Sequence, residues 1–148
     1  MHIKTLKIAV PFLCFGMVLA ISFREAPLKF QAPGITIPLG LGIGRLVFFA
    51  LNKMEIVWAL LLHIAFVRDH PNTRTMNITI GMAFLILFLE TVWLLPLLGA
   101  RTDKVIAGTA EPFSKLHVVY IVLGAIKLIL LAVLGIATTR RAIAGAAT

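Results

Sequence analysis

The chain has 148 residues, of which 60% are hydrophobic, and its mean hydropathy is +1.02. This composition excludes an ordinary soluble domain, and the length allows one compact body. The net charge of +8 does not indicate nucleic-acid binding, because the basic residues are scattered and form no patch or stripe. We therefore expect a small membrane protein whose surroundings are the lipid bilayer.

Four apolar runs predict an all-α fold in which four transmembrane helices form an antiparallel bundle and a single domain. They cover residues 8–23, 39–67, 77–98 and 116–138. The last two have about 22 residues, enough to cross a hydrocarbon core of about 30 Å. The second is too long, because about 29 residues make a helix of roughly 44 Å. Either this helix tilts strongly or its glycine-rich start, GLGIG, lies at the interface.

The first run and the connection after it need separate arguments. The run follows Lys4 and Lys7 and resembles a secretory signal, but no A-x-A cleavage site follows it, so we expect a retained span. The connection, residues 24–38, contains three prolines, which forbid a continuous helix there. Its alternating apolar residues favour a segment that lies on the membrane surface or caps the bundle.

The orientation follows from lysine and arginine in the connections. With four spans, both termini share a membrane side with the connection between the second and third runs. The two sides carry almost equal numbers of basic residues, Lys4, Lys7, Arg68, Arg74, Arg140 and Arg141 against Arg24, Lys29, Arg101, Lys104 and Lys115. This count favours cytoplasmic termini by one charge, in a multi-pass protein of the inner (cytoplasmic) membrane.

Polar and charged residues interrupt the apolar runs, where each is costly unless it is paired or hydrated. On the second run, one stripe about 80° wide comprises Arg45, Asn52, Glu55 and His63. On the fourth run, a similar stripe comprises His117, Tyr120, Gly124 and Lys127. Both stripes should turn toward the inside of the bundle or toward a wet cavity.

Three charged residues fall at one depth. Glu55, Glu90 and Lys127 each lie roughly 20–24 Å of helix from the membrane side that holds the termini. We therefore predict a buried cluster near the midplane, in which Lys127 contacts Glu90 or Glu55 and Asn52 lies nearby. Lys53 is about 200° from Glu55 and cannot pair with it, but it can add a second positive charge if it turns toward the third span.

One ammonium group cannot neutralise two carboxylates, so the role of the cluster stays open among three interpretations. In the first interpretation the cluster only fixes helix register and fold specificity. In the second it relays protons or ions or binds a polar substrate. In the third a partner subunit supplies the missing charge. The histidines add no metal or haem site, because His63 and His117 lie toward opposite membrane sides and no ligand spacing is present. The sequence predicts no cofactor.

Two pieces of the chain resemble a group of small bacterial four-span membrane proteins of unknown function. Residues 90–131 carry that group's LLP-x-L-x-x-R segment and L-H-x-x-Y opening of the last span, here LLPLLGAR and LHVVY. Residues 27–57 carry its G-R-x-V-F-x-x-L-N-x-x-E segment, here GRLVFFALNKME. A more distant resemblance is to the transmembrane-protein-205-type domain. These resemblances imply a four-span fold and no particular activity.

A second resemblance is to the MAPEG family, four-span trimeric enzymes that use glutathione or lipid substrates. It rests on Asn52-x-x-Glu55 after an arginine and implies glutathione binding at Arg45 and Asn52. Two features depart from that family, because no proline follows the motif and the basic loop before it is missing.

The sequence thus favours a non-enzymatic structural or accessory component of a membrane complex. Its partners would be other membrane subunits or further copies of the same chain. The alternative is a small proton- or ion-coupled transporter or channel that uses Glu55, Glu90 and Lys127. The MAPEG-like enzyme is the second alternative.

Overall fold

A computed structural model describes residues 2–111 and 114–146, and it describes the side chains of residues 3–111 and 114–145. Throughout these residues the regular structure is helical, without a strand. Four spans are long and apolar enough to cross a membrane, and we number them in chain order as Ile3–Gln31, Ile37–Arg68, Arg74–Ile106 and Lys115–Gly145. The predicted all-α, four-helix, multi-pass architecture is confirmed.

Two of the spans are single α-helices and two change their helical type. The first span consists of α1 (His2–Val18), the π-helical segment Leu19–Glu25, α2 (Ala26–Leu28) and a 3₁₀ turn, Lys29–Gln31. The second is α3 (Ile37–Arg68) and the fourth is α6 (Lys115–Ala146). The third consists of α4 (Arg74–Leu89), the π-helical segment Glu90–Leu94 and α5 (Leu95–Ile106).

The first span is longer than predicted, because its helix continues past residue 23 to Gln31. The expectation that prolines interrupt the helix after residue 24 is wrong for Pro27. Pro27 lies in the first turn of α2, directly after the π-helical segment. Pro27 has no backbone N–H to donate, and the π-helical segment directly before α2 is where the helix departs from the regular α-helical hydrogen-bond pattern. The chain leaves the helix only after Gln31, through Gly34, whose φ is +79°.

The glycine-rich start of the second span is helical and packs closely against the end of the first span. A Cβ atom on Gly40 would collide with the ring of Phe30, and one on Gly44 would lie 2.7 Å from Lys29 Nζ. The end of the first span therefore covers the start of the second, as expected for a segment that caps the bundle. Because Gly40 and Gly44 lack side chains, Phe30 and Lys29 can lie close to the α3 backbone.

The remaining helix ends also extend beyond the predicted spans. The third span begins at Arg74, where the Thr73 hydroxyl accepts a hydrogen bond from Met76 N at 3.2 Å, and it ends at Ile106. The fourth span continues past residue 138 to the end of the described chain. Basic residues at these ends therefore lie on helices and not in the connections. Pro112 and Phe113, in the predicted last connection, lie outside the described residues.

The apolar core consists of three buried clusters along the bundle, and the partly buried side chains of Trp58 and Phe48 connect them. Near the termini it comprises Val10, Leu62, Phe66, Met76, Ile80 and Leu134. In the middle it comprises Cys14, Val18, Leu51, Leu128 and Leu131, and at the far end Leu94, Leu95 and Tyr120. Many large apolar side chains remain exposed on the outside, which is the pattern of a bundle that meets lipid rather than water.

A polar clamp ties the first span to the connection between the second and third spans. Lys7 is 4% exposed, and its Nζ donates hydrogen bonds to Asp69 O at 2.7 Å and to Asn72 Oδ1 at 2.6 Å. Nζ also lies 3.0 Å from Asp69 Oδ2 and 4.6 Å from the centre of the Phe66 ring. In the sequence Lys7 counts only as a connection charge, whereas in the structure it is buried and fully engaged.

We expect Lys7→Met to destabilise the protein by about 2–3 kcal/mol, because charge-assisted hydrogen bonds are lost and their acceptors stay partly buried. Lys4→Met is the matched control, since Lys4 is exposed on the same helix, and it should change stability by less than about 0.5 kcal/mol. Reversible unfolding in mixed micelles, followed by circular dichroism, measures both. Equal effects of the two substitutions would contradict the clamp.

Candidate functional site: a buried carboxylate–ammonium triad

Glu55, Glu90 and Lys127 meet inside the bundle, one from each of the second, third and fourth spans. Their residues are 3%, 1% and 3% exposed. Lys127 Nζ lies 2.6 Å from Glu55 Oε1, and it also donates a hydrogen bond to Glu90 Oε2. Lys127 therefore contacts both carboxylates rather than one of them. We call these three residues the triad.

The helix geometry at Glu90 helps to place its carboxylate. Glu90 is the first residue of the π-helical segment, and Leu95 N–H donates to Glu90 O, five residues earlier. Pro96 follows at the start of α5, where it lacks a backbone donor. Such π-helical turns occur mostly as short insertions in α-helices and often at functional sites. In the sequence, the feature that could have indicated this π-helical turn is Pro96, six residues after Glu90.

Asn52 lies one turn before Glu55 and connects the second and third spans. It is 7% exposed, and its Nδ2 donates to Thr91 Oγ1 at 2.9 Å. The Thr91 hydroxyl in turn donates to Leu87 O at 2.7 Å. Asn52 is thus buried beside the triad, as predicted, but its amide is engaged with Thr91. The sequence analysis missed Thr91, although its position directly after Glu90 was available as a signal.

The placement of Lys53 in the buried cluster is wrong. Lys53 is exposed on the outer surface of the second span, and among the described residues it has no hydrogen bond or ion pair with the third span. The reason is the angle of about 200° between it and Glu55 on the helix. Once Glu55 faces inward, Lys53 must face outward.

The polar stripe of the second span is only partly internal. Arg45 is half-buried and forms an ion pair with Asp103 of the third span. His63 is exposed, with its ring centroid 6.2 Å from that of Phe84, so the expectation that it faces inward is wrong. The buried residues of this span centre near the direction of Glu55, and His63 lies about 80° from Glu55 around the helix. His63 therefore stands at the edge of the stripe, outside the interior.

The polar stripe of the fourth span has one exposed end. Tyr120 is 5% exposed and meets the Phe48 ring edge-on at 5.3 Å, and Gly124 is buried. His117 is exposed but lines a cavity at the end of the bundle opposite the termini. No group of three or more potential metal ligands occurs in the described part of the chain.

A small cavity lies beside the triad, and the side chain of Trp58 adds a further polar group to its wall. Its volume is about 30 Å³, and Glu55, Lys127, Trp58 and Cys14 contribute to its lining. Trp58 Nε1 and Glu90 Oε1 are buried without a hydrogen-bond partner among the described residues. The cavity exceeds the roughly 10–15 Å³ that one water molecule requires. Trp58 thus adds a donor next to the charges.

The arrangement can hold charge at the centre of the bundle and can exchange a proton. With all three groups ionised the triad carries one net negative charge, since two carboxylates share one ammonium. A single proton neutralises it. No family model, no curated protein sequence and no solved structure was found to match this chain. The chemistry of the site therefore has to be argued from its own geometry.

We expect Lys127→Met to destabilise the protein by about 3–5 kcal/mol, because it leaves two buried carboxylates without a counter-charge. Replacing Glu55, Glu90 and Lys127 together by Met should recover at least about 2 kcal/mol, since an apolar core needs no counter-charge. Unfolding by sodium dodecyl sulfate in mixed micelles measures both variants. A Lys127→Met protein as stable as the wild type would show that the triad contributes little to folding.

Proposed function

We propose that this integral membrane protein is a non-enzymatic accessory component of a membrane complex, and that Lys53 faces an acidic residue of a partner chain. The observation that supports this role is an exposed lysine in the middle of a span. Its location in the cytoplasmic membrane, with cytoplasmic termini, remains a prediction from the charge count.

The depth of Lys53 makes its exposure unusual. It lies two residues from Glu55, or about 3 Å along the axis, and about 24 Å from either end of the second span. The hydrocarbon core is about 30 Å thick, so the ammonium is too deep for its four-carbon stem to reach the interface. An unpaired lysine at this position costs about 2.5–3.5 kcal/mol on insertion scales.

The surface around Lys53 suits a helix from another chain. Exposed apolar side chains occupy the same face of the second span on both sides of it, namely Leu46, Phe49, Val57, Leu60 and Ile64. Lys53 is the charged position within this otherwise apolar stripe. A partner helix that is apolar apart from one aspartate or glutamate at the matching depth complements it.

A second copy of this chain does not supply such an acid. The chain has six acidic residues, and only Glu55 and Glu90 lie at the depth of Lys53. Both belong to the buried triad, where Lys127 already contacts them. The partner that we propose is therefore a different membrane protein.

We expect one other chain with an intramembrane acid to co-purify in a fixed stoichiometry when the protein is extracted from its native membrane in mild detergent. Lys53→Leu should abolish this association, and Lys53→Arg should retain it, because only the charge is required. Native mass spectrometry measures the stoichiometry. Lys104→Leu is the control, since Lys104 is exposed near the end of the third span.

The decisive test uses reversed charges. Lys53→Glu should lose the partner, and replacing the partner's acid by lysine should restore the complex. Association that persists in Lys53→Leu, or a co-purified chain without an intramembrane acid, would overturn the assignment.

A second candidate is a proton- or ion-coupled carrier, and the triad is the observation that favours it. Two carboxylates share one ammonium inside a membrane bundle, and ionisable groups at this depth commonly mark proton or ion pathways. The small cavity beside Glu55 and Lys127 has room for a water molecule, which a relay requires.

For this candidate we expect Glu90→Gln to reduce pH-driven flux in liposomes by at least about tenfold, because the shared proton site is lost. A dye trapped inside the liposomes reports the proton flux. Glu111→Gln, at an exposed position beyond the third span, is the control and should leave the flux unchanged. Wild-type liposomes that show no flux above protein-free ones would remove this candidate.

A further inference from the structure

A second cavity, of about 380 Å³, lies at the end of the bundle opposite the termini. All four spans contribute to its wall. Most of the lining is apolar, and four phenylalanines belong to it, Phe23, Phe30, Phe48 and Phe49. Its volume lies within the range of about 300–1,000 Å³ that is usual for small-molecule sites, which combine apolar walls with a few polar groups.

The polar groups that line this cavity are basic or neutral. Lys29, Arg45 and His117 contribute to the wall, and no acidic residue is among the lining residues that the structure describes. Arg45 is paired with Asp103 through one nitrogen of its guanidinium group. The other donors of that group leave it able to bind a further acceptor.

Lys29 is the most informative of these residues. Its side chain is 10% exposed, so its ammonium group is almost withdrawn from solvent. Lys29 forms an ion pair with Glu25, whose Oε2 lies 3.6 Å from Nζ, a separation longer than a charge-assisted hydrogen bond. Within the described residues Nζ makes no hydrogen bond, although it lies over the rings of Phe48 and Phe30 at 5.3 and 5.7 Å from their centroids.

The backbone of the second span accommodates this buried ammonium. A Cβ atom on Gly44 would lie 2.7 Å from Lys29 Nζ, so a side chain at that position would displace it. Glycine at this position leaves room for the ammonium group at the wall of the cavity. A buried ammonium with unused donors, beside an apolar cavity, is the arrangement expected for binding an anion.

We propose that this cavity binds a single-chain amphiphile with an anionic head, a carboxylate or a phosphate. The head binds Lys29 Nζ with support from Arg45, and the chain lies among the phenylalanines. The bilayer around the protein is the natural source of such a molecule. This site contains neither Lys53 nor a residue of the triad, and it shares only Phe49 with the apolar stripe around Lys53, so the proposal does not depend on the partner or on proton exchange.

Binding is measured by native mass spectrometry of the full chain in maltoside micelles, with dodecanoate, dodecyl phosphate, dodecanol and inorganic phosphate as ligands. We expect the two anionic amphiphiles to bind at least about tenfold more tightly than dodecanol, because a charge-assisted hydrogen bond to Lys29 is added. Inorganic phosphate should not compete with dodecanoate at millimolar concentration, because it has no chain.

Substitutions separate the head site from the chain site. Lys29→Met should lower dodecanoate affinity at least about tenfold and leave dodecanol affinity within about twofold, whereas Lys29→Arg should retain dodecanoate binding. Lys104→Met is the matched control and should change neither. Gly124→Leu adds a side chain to the cavity wall and should weaken dodecanoate and dodecanol binding together, which keeps the test available if Lys29→Met does not fold.

Three results would overturn the proposal. The first is equal affinity for dodecanol and dodecanoate in the wild type. The second is dodecanoate binding that is unchanged in Gly124→Leu. The third is competition by inorganic phosphate with no dependence on chain length, which would assign the site to a free anion instead of an amphiphile.

Discussion

The contact of Lys127 with both Glu55 and Glu90 is the constraint on which the rest of the structure depends. Each of these charged side chains would be costly alone at this depth. The bundle tolerates them together only when the three side chains lie at the same depth and in contact. The contact therefore fixes the rotation and the height of three spans relative to one another. The packing contacts elsewhere along these helices must be compatible with that rotation.

The same rotation leaves two other lysines with unusual surroundings. Because Glu55 faces inward, Lys53 faces outward at the depth of the triad, where the bundle offers it no counter-charge. At the far end, Lys29 is withdrawn from solvent beside an apolar cavity and has a loosely placed carboxylate as its partner. Lys127 is thus satisfied inside the bundle, whereas we propose that Lys53 and Lys29 contact molecules outside it.

The sequence predicted the part of the site that depends on depth and local helix geometry. Counting residues from the ends of the spans was enough to bring Glu55, Glu90 and Lys127 to one height. The same reasoning was wrong for His63, because periodicity does not show which part of a polar stripe faces the interior. It also missed Thr91 and Asp103, since a hydrogen bond or ion pair between spans depends on which helices are neighbours. Periodicity within one helix does not contain that information.

The sequence by itself determined the all-α class, the number of spans and the common depth of the three charges, because hydropathy and rise per residue are local properties of the chain. The tertiary structure decided which face of each helix is internal, that Lys7 is clamped by Asp69 and Asn72, and that the helix of the first span continues through Pro27. It also decided that Lys29 lies in a cavity. These outcomes depend on how the spans pack against one another, and packing is a property of all the helices together.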